Sequence, residues 1–204
     1  MGVLRGRPLI YVYSCELLAP HFGSDKAVGK AFRTLRQAFR KAEAGDPYLV
    51  AQVWDAGTGV RCIDDYGFDA MSGYSLPGGG AHEELPFSDL TKANLGYWNG
   101  FAATGKPVVP LLNIGWDGRP RLVDPSLAPF YSGPWYRQPA RGEIANSVRQ
   151  TISWIRGRPR STPANTVLLY AWNETDEGGW LVPTLKEGDR RLEELRSVLA
   201  TKRR

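Results

Sequence analysis

Histidine, cysteine and methionine are scarce in this 204-residue chain, two of each, and the scarcity narrows the chemistry. Cys15 and Cys62 show no Cys-x-x-Cys spacing, and His21 and His82 fit no helical zinc motif, so no metal site is expected. The two thiols are open to a paired or a free state and do not fix a compartment. Gly57 and Gly59 imitate the start of a dinucleotide fingerprint, but Cys62 stands where the third glycine belongs. A phosphate loop and a Gly-x-Ser-x-Gly elbow are also missing, so no cofactor is expected. Every apolar run falls short of the ~20 residues that cross a bilayer, and no charged start leads into an apolar run. Neither a membrane partner nor a targeting signal is read within the chain, and the localisation stays open. Charge of one sign is lacking too: 26 basic and 21 acidic side chains leave +5. The basic residues are scattered, apart from the run Lys202, Arg203 and Arg204, and no aromatic-interleaved basic motif occurs. That reads as a solvated surface with no nucleic-acid partner, leaving room for an acidic ligand.

What the chain has in excess is turn formers, with 23 glycines and 15 prolines against average usage of about 7% and 5%. With 42% apolar and 23% charged residues the remainder is ordinary for a globular core, and residues 1–204 are read as a single domain, whole or truncated. Short runs of Val, Leu, Ile and Tyr alternate with segments of helical spacing, the pattern of parallel β/α units. Strands are expected at Leu9 to Tyr13, Tyr48 to Trp54, Ala70 to Tyr74, Val108 to Asn113 and Thr166 to Trp172. Pro110 is an awkward residue within the fourth, because proline removes a ladder donor. A helix starts near Ser24, with Val28, Phe32, Leu35, Phe39 and Ala42 on one face and Gly45 as a stop. Val60 to Asp65 form at most a short helix. Others run from Phe87 to Ala103, with Leu90, Ala93, Tyr97 and Phe101 aligned, and through Ile144, Val148, Ile152 and Ile155. The closing helix has Leu192, Leu195 and Leu199 as its buried stripe.

Five parallel strands fit an open doubly wound sheet or part of a (β/α)₈ barrel, and both put a ligand at the carboxyl ends of the strands. Those ends hold Ser14, Glu16, Trp54, Asp55, Ser75, Trp116, Asp117, Asn173, Glu174 and Glu177, so that every strand end contributes, which favours the barrel face. The Gly78 to Gly80 run reads as a flexible turn. The segment from Leu168 to Trp180 carries most information: Glu174, Asp176 and Glu177 follow an apolar strand and lie between Trp172 and Trp180. Paired carboxyl groups beside stacking rings are what glycoside hydrolysis needs, one to protonate the leaving oxygen and one as base or nucleophile. An apolar wall would raise one pKa and leave a solvated neighbour ionised. The plainer reading makes Asp176 and Glu177 solvating residues of a turn.

Trp172-Asn173-Glu174 followed by Glu177-Gly178 resembles the last-strand motif Asn-Glu-x-x-Glu-Gly of the glycoside hydrolase family 71/99-like (β/α)₈ barrels, the group that includes endo-α-1,2-mannosidases. Gly115-Trp116-Asp117 with Arg119-Pro120-Arg121, and Gly6-Arg7-Pro8, are similar to the same broad family. The resemblance implies the C-terminal portion of such a barrel, with Glu174 as a base on the sugar 2-hydroxyl. Glu177 would be the general acid/base of a retaining route through neighbouring-group participation. It implies no cofactor, and a glycan partner touching Trp54, Asp55, Tyr74, Trp116, Asp117, Trp172, Asn173, Asp176 and Trp180. Thr175 and Asp176 stand where the mannosidases have an aromatic residue and a histidine, so sugar specificity does not carry over. A whole barrel takes eight strands and about 250 residues. With five strands here, a second chain or a preceding segment is expected to complete it, and Met1 just before Gly6-Arg7-Pro8 is compatible with an internal start.

Two other readings compete with the hydrolase: a catalytically inactive carbohydrate-binding barrel remnant, and an open flavodoxin-like module binding a small anion. Tyr13 joins the aromatic residues at the strand ends, all of which serve either a glycan groove or the core. Asp55 and Asp117 either hold sugar hydroxyls or cap turns. Glu174, Glu177, Asp55 and Trp116 are expected on one face of the sheet, since right-handed crossovers align strand ends.

Overall fold

The computed structural model describes residues 3–4 and 6–200. Met1 and the basic run Lys202, Arg203 and Arg204 lie outside the described residues. The chain runs β1 (Val3–Leu4), β2 (Arg7–Val12), α1 (Leu18–Phe22), α2 (Asp25–Lys41), β3 (Tyr48–Gln52), α3 (Ala56–Asp64), β4 (Ala70–Ser72) and β5 (Glu84–Leu85). It continues with α4 (Phe87–Ala103), β6 (Leu111–Asn113), α5 (Ala128–Tyr131), β7 (Trp135–Tyr136), α6 (Glu143–Arg156), β8 (Leu168–Tyr170), β9 (Asn173–Glu174), β10 (Gly179–Trp180) and α7 (Arg190–Leu199). The backbone divides into two compact units, each drawn from three stretches. One holds the chain up to Tyr74 with Trp98–Pro110 and Arg158–Thr166; the other holds Ser75–Tyr97, Leu111–Gly157 and Val167–Arg204.

In the first unit the sheet order is β1-β2-β3-β4, with β1 antiparallel to β2 and the other pairs parallel. Leu9 to Val12 face Tyr48 to Ala51, and Val50 to Gln52 face Ala70 to Ser72. A parallel bridge from Met71 to Val108 extends the series. A flavodoxin-like sheet would insert the first strand between the second and third. Here β3 lies between β2 and β4, so that reading falls. All five residues of β3 are buried, which is why Tyr48 to Ala51 form an apolar run rather than an alternation, with the polar Gln52 at its end. Helix α2 begins where its cap predicts, the Ser24 hydroxyl accepting from the Ala27 N–H at 3.2 Å, and it carries Phe32 edge-on to Phe68. Ala42, read as part of the buried face, is exposed past the helix end. The helix read at Val60 to Asp65 starts earlier, at Ala56, because Asp55 caps it by accepting from Thr58 N–H at 2.8 Å.

Gly6-Arg7-Pro8 has a structural use. Arg7 opens β2, Asp46 precedes β3 and Asp69 precedes β4, and the arginine bridges both carboxylates at 3.3 and 2.8 Å. Arg36 from α2 bridges the same pair at 2.8 and 2.7 Å, and Asp69 also accepts the Leu49 N–H. This network ties together the amino ends of three parallel strands, the end of β/α folds that serves stability.

In the second unit β6 pairs parallel with β8, Leu111 to Asn113 against Leu168 to Tyr170, and β5 pairs parallel with β7. Helices α6 and α7 pack together, α6 burying Ile144, Val148, Thr151, Trp154 and Ile155. The strands are shorter than read at their carboxyl ends, so Tyr13, Trp54, Tyr74 and Trp172 follow strands rather than end them. Pro110 falls between the Val108 bridge and β6, where no ladder bond is required. The stripe of α4 runs through Leu90, Asn94, Trp98 and Phe101, with Ala93 and Tyr97 only half-buried. Of the leucine stripe of α7 only Leu195 is buried, beside the buried Arg191 and Glu194, while Leu192 is half-buried and Leu199, in the last turn, is exposed. The two-residue strands β1, β5, β7, β9 and β10 were not read, because two residues carry no periodicity.

Candidate functional site

The acidic motif folds as a hairpin. β9 and β10 pair antiparallel, Glu174 opposite Gly179 and Asn173 opposite Trp180, and Thr175–Glu177 form a single 3₁₀ turn between them. Glu174 lies in β9 and Glu177 ends the turn, and the two carboxylates meet a common partner, the Arg121 guanidinium. Gly178 closes the turn at φ 72°. A Cβ there would lie 2.5 Å from the Asp117 N, and one on Gly115 would lie 2.1 Å from the Gly178 O. The two glycines let the backbones touch, and Asp117 N–H donates to the Glu177 carbonyl at 2.7 Å. Gly115-Trp116-Asp117 and Glu177-Gly178, far apart in sequence, are thus one structure. Gln138 donates to the Gly178 carbonyl at 3.1 Å, and Arg191 holds Gln138 at 2.9 Å while covering the Trp180 ring at 3.8 Å.

Arg121 stands at the centre. Its Nε meets Asp176 at 2.7 Å, one Nη meets Glu177 at 2.5 Å, and the other reaches Glu174 at 3.3 Å. It also donates to the Tyr131 hydroxyl at 2.6 Å. Glu177 is 4% exposed, and both of its oxygens are engaged. One accepts from Tyr131 at 2.6 Å, besides its arginine contact, and the other accepts from Tyr170. Arg121 holds the Asp176 carboxyl below the usual carboxylate range, and its own pKa rises through that hydrogen bond. Burial, then the hydrogen bond to Glu177, pushes the Tyr131 phenol up to about 12.

The other expected site residues are placed as follows. Trp116 is 6% exposed and stacks on Tyr131, with centroids 5.8 Å apart and planes 16° apart. Asp117 forms a two-point pair with Arg119 at 2.9 and 2.8 Å, and its pKa is lowered by that partner against the opposing effect of burial. Trp172 and Asn173 are exposed, Glu174 and Trp180 half-buried. Trp54, Asp55 and Tyr74 belong to the first unit. There Tyr13 makes edge contacts with Trp54 at 5.6 Å and with Tyr74 at 4.7 Å, forming an aromatic ledge whose Tyr13 and Trp54 are 55% and 41% exposed. Asp55 spends one oxygen on the cap of α3, and that bond lowers its pKa. Cys15 and Cys62 are both free and buried, and their mutual hydrogen bond together with burial raises the Cys15 pKa.

Arg121, Tyr131 and Tyr170 were not read as site residues. Arg121 was legible only as part of Arg119-Pro120-Arg121; the two tyrosines gave no signal, because nothing in their spacing ties them to Glu177. Asn113, at the carboxyl end of β6, is fully buried, and its side-chain amide has no partner among the described residues. No group of three or more His, Cys, Asp or Glu suited to a metal ion occurs among the described residues.

No family model and no curated protein matches the chain. Among solved structures it is similar to a family 99 (GH99) endo-α-mannosidase from Bacteroides thetaiotaomicron, with a TM-score of 0.56 and 14% identity. The match covers 97% of this chain and 58% of that one, so the chain spans little more than half the neighbour's length. Together with the parallel β/α pairings, this likeness fixes the fold class as α/β, part of a (β/α) barrel of the kind seen in that enzyme.

Proposed function

We propose that the chain is a glycoside-hydrolase-like protein that engages an oligosaccharide or polysaccharide at the Glu174–Glu177 hairpin. The observation that carries the reading is the convergence of the Glu174 and Glu177 carboxylates on Arg121, at 3.3 and 2.5 Å, in a fold shared with an endo-α-mannosidase. In this reading Glu174 takes the proton of the sugar 2-hydroxyl, which then displaces the leaving group. Glu177 protonates the departing oxygen and later activates water, so configuration is retained. Trp172 and Asn173 stand open to solvent beside the carboxylates, the former as a stacking face and the latter as a hydroxyl partner. Asp117, Asp176, Trp116 and Trp180 lie at the same hairpin, and Trp54, Asp55 and Tyr74 are sugar contacts proposed separately within the first unit.

One observation favours a second reading, a carbohydrate-binding remnant without turnover: Glu177 has both oxygens engaged and almost no exposure, whereas a general acid must reach the leaving oxygen. A panel of α-linked mannosides and glucosides, screened for binding and for hydrolysis, separates the two. For the hydrolase, Glu174→Gln and Glu177→Gln keep binding and lose ~10²–10⁴-fold in turnover, and Asp176→Asn loses less. Binding without turnover in the wild type establishes the remnant, and turnover that survives both glutamine variants removes the catalytic assignment.

A further inference from the structure

Two of the three groups that saturate Glu177 come from one short stretch of chain. Arg121 and Tyr131 both lie between Gly118 and Ser132, a stretch made of two 3₁₀ turns and the one-turn helix α5. The stretch contributes nothing to a sheet. It leaves Val123 and Phe130 88% and 75% exposed and only half-buries Leu122, Leu127 and Ala128, so no apolar side chain of the stretch apart from the Tyr131 ring is set in a core. What holds it is at the acidic hairpin: the Arg121 bonds to Asp176, Glu177 and Glu174, and the Tyr131 bond to Glu177. Tyr131 also stacks on Trp116, and its ring fills the space that a Cβ on Gly118 would take, at 2.6 Å. Arg119, at the start of the stretch, pairs with Asp117 and lies over the Trp135 ring at 4.3 Å, whereas the bonds of Arg121 and Tyr131 go to the acidic motif.

We propose that the 119–131 stretch is a latch, with Arg121 and Tyr131 as its two catches, and that a ligand reaches Glu177 only when the latch lifts. The case is strongest at Glu177, whose two oxygens are both engaged and which is 4% exposed. The Arg121 donors occupy the directions from which hydroxyl groups would approach, and Tyr131 takes the oxygen that Tyr170 leaves on Glu177. Lifting exchanges these intramolecular bonds for bonds to water and ligand without covalent change. The reading of the ligand as a glycan rests on the proposed function, whereas the latch itself does not.

Hydrogen exchange over residues 119–132, read by mass spectrometry on the whole chain, tests the latch without any ligand. Arg121→Gln and Tyr131→Phe should each speed exchange in this stretch about tenfold or more, leaving the sheets and α6 unchanged, because bonds to charged partners are the stronger ones. Arg121→Lys, which keeps the charge but not the fork, should recover part of the protection. Unchanged exchange in both variants overturns the latch and leaves the Trp116 stack as the anchor. Exchange that rises across the whole molecule also overturns it, since Arg121 would then be part of the fold. In a second arm, Arg121→Gln should bind members of the α-mannoside and α-glucoside panel about tenfold more tightly than wild type. If the stretch loosens as expected but no sugar binds either protein, the latch stands and the glycan reading fails.

Discussion

At Gly178 and Gly115 the side chain is a single hydrogen because backbone occupies the rest. Gly178 combines φ 72° with an amide 2.5 Å from where a Cβ would lie, and Gly115 faces the Gly178 carbonyl. Neither neighbour is the flexible end of a side chain, so the strain has no cheap relief. Gly115→Ala and Gly178→Ala should each cost about 2 kcal/mol or more of stability. Gly100, in the exposed interior of α4 with nothing within 4 Å, is the contrast, and Gly100→Ala should stabilise by roughly 0.5–1 kcal/mol. Urea melts of the three variants check both signs. A tolerated Gly115→Ala would mean that the two motifs are not locked together. At this scale the sequence revealed the carboxylates but not their partners. Arg121 and Tyr131 reach Glu177 from 56 and 46 positions away, and a single sequence carries no record of such proximity.

The elements are held at two levels of strength. In the first unit Asp69 collects two arginines and the Leu49 N–H while mostly shielded, its side chain 19% exposed and that of Arg36 15%. Arg40 reaches Asp46 from the rim with its side chain 53% exposed. Shielded, multiply bonded carboxylates matter and exposed pairs barely do, because water screens the latter. Asp69→Ala should therefore cost about 1–3 kcal/mol, and Arg40→Ala under about 0.5 kcal/mol. Equal losses in thermal melts would show that the network is not graded by burial. The helices were legible at this scale where a cap and a long apolar face coincide, as in α2 with Ser24. Helix α3 was read too short because its start depends on the Asp55 cap rather than on an apolar period. The stripe of α4 turned out to bury Asn94, which donates to the Leu76 carbonyl and accepts the Asn113 N–H. A polar side chain inside is invisible to hydrophobic patterning.

At the scale of the whole molecule, each unit leaves a parallel strand with one side unpaired along part of its length. In the first unit Leu9 to Val12 of β2 are only half-buried while β3 and β4 are buried throughout, and in the second Leu168 and Leu169 of β8 are half-buried while β6 is buried. Apolar strand edges with open ladder positions invite further strands. The isolated chain should therefore associate, and light scattering coupled to size exclusion should give more than one chain mass; a well-folded monomer would count against the barrel-portion reading. Leu168→Lys should reduce the association, since a charge on an edge opposes pairing. The sequence by itself determined the alternation of strand and helix, the parallel class and the acidic motif at the last strand, because these depend on local period, caps and neighbours in the chain. Only the tertiary structure decided that Gly115-Trp116-Asp117 and Glu177-Gly178 form one unit, and that an arginine and two tyrosines close over Glu177. The first rests on a backbone bond, Asp117 N–H to the Glu177 carbonyl at 2.7 Å, and the second on side chains that reach Glu177, two of them from more than forty positions away, and no local pattern encodes either.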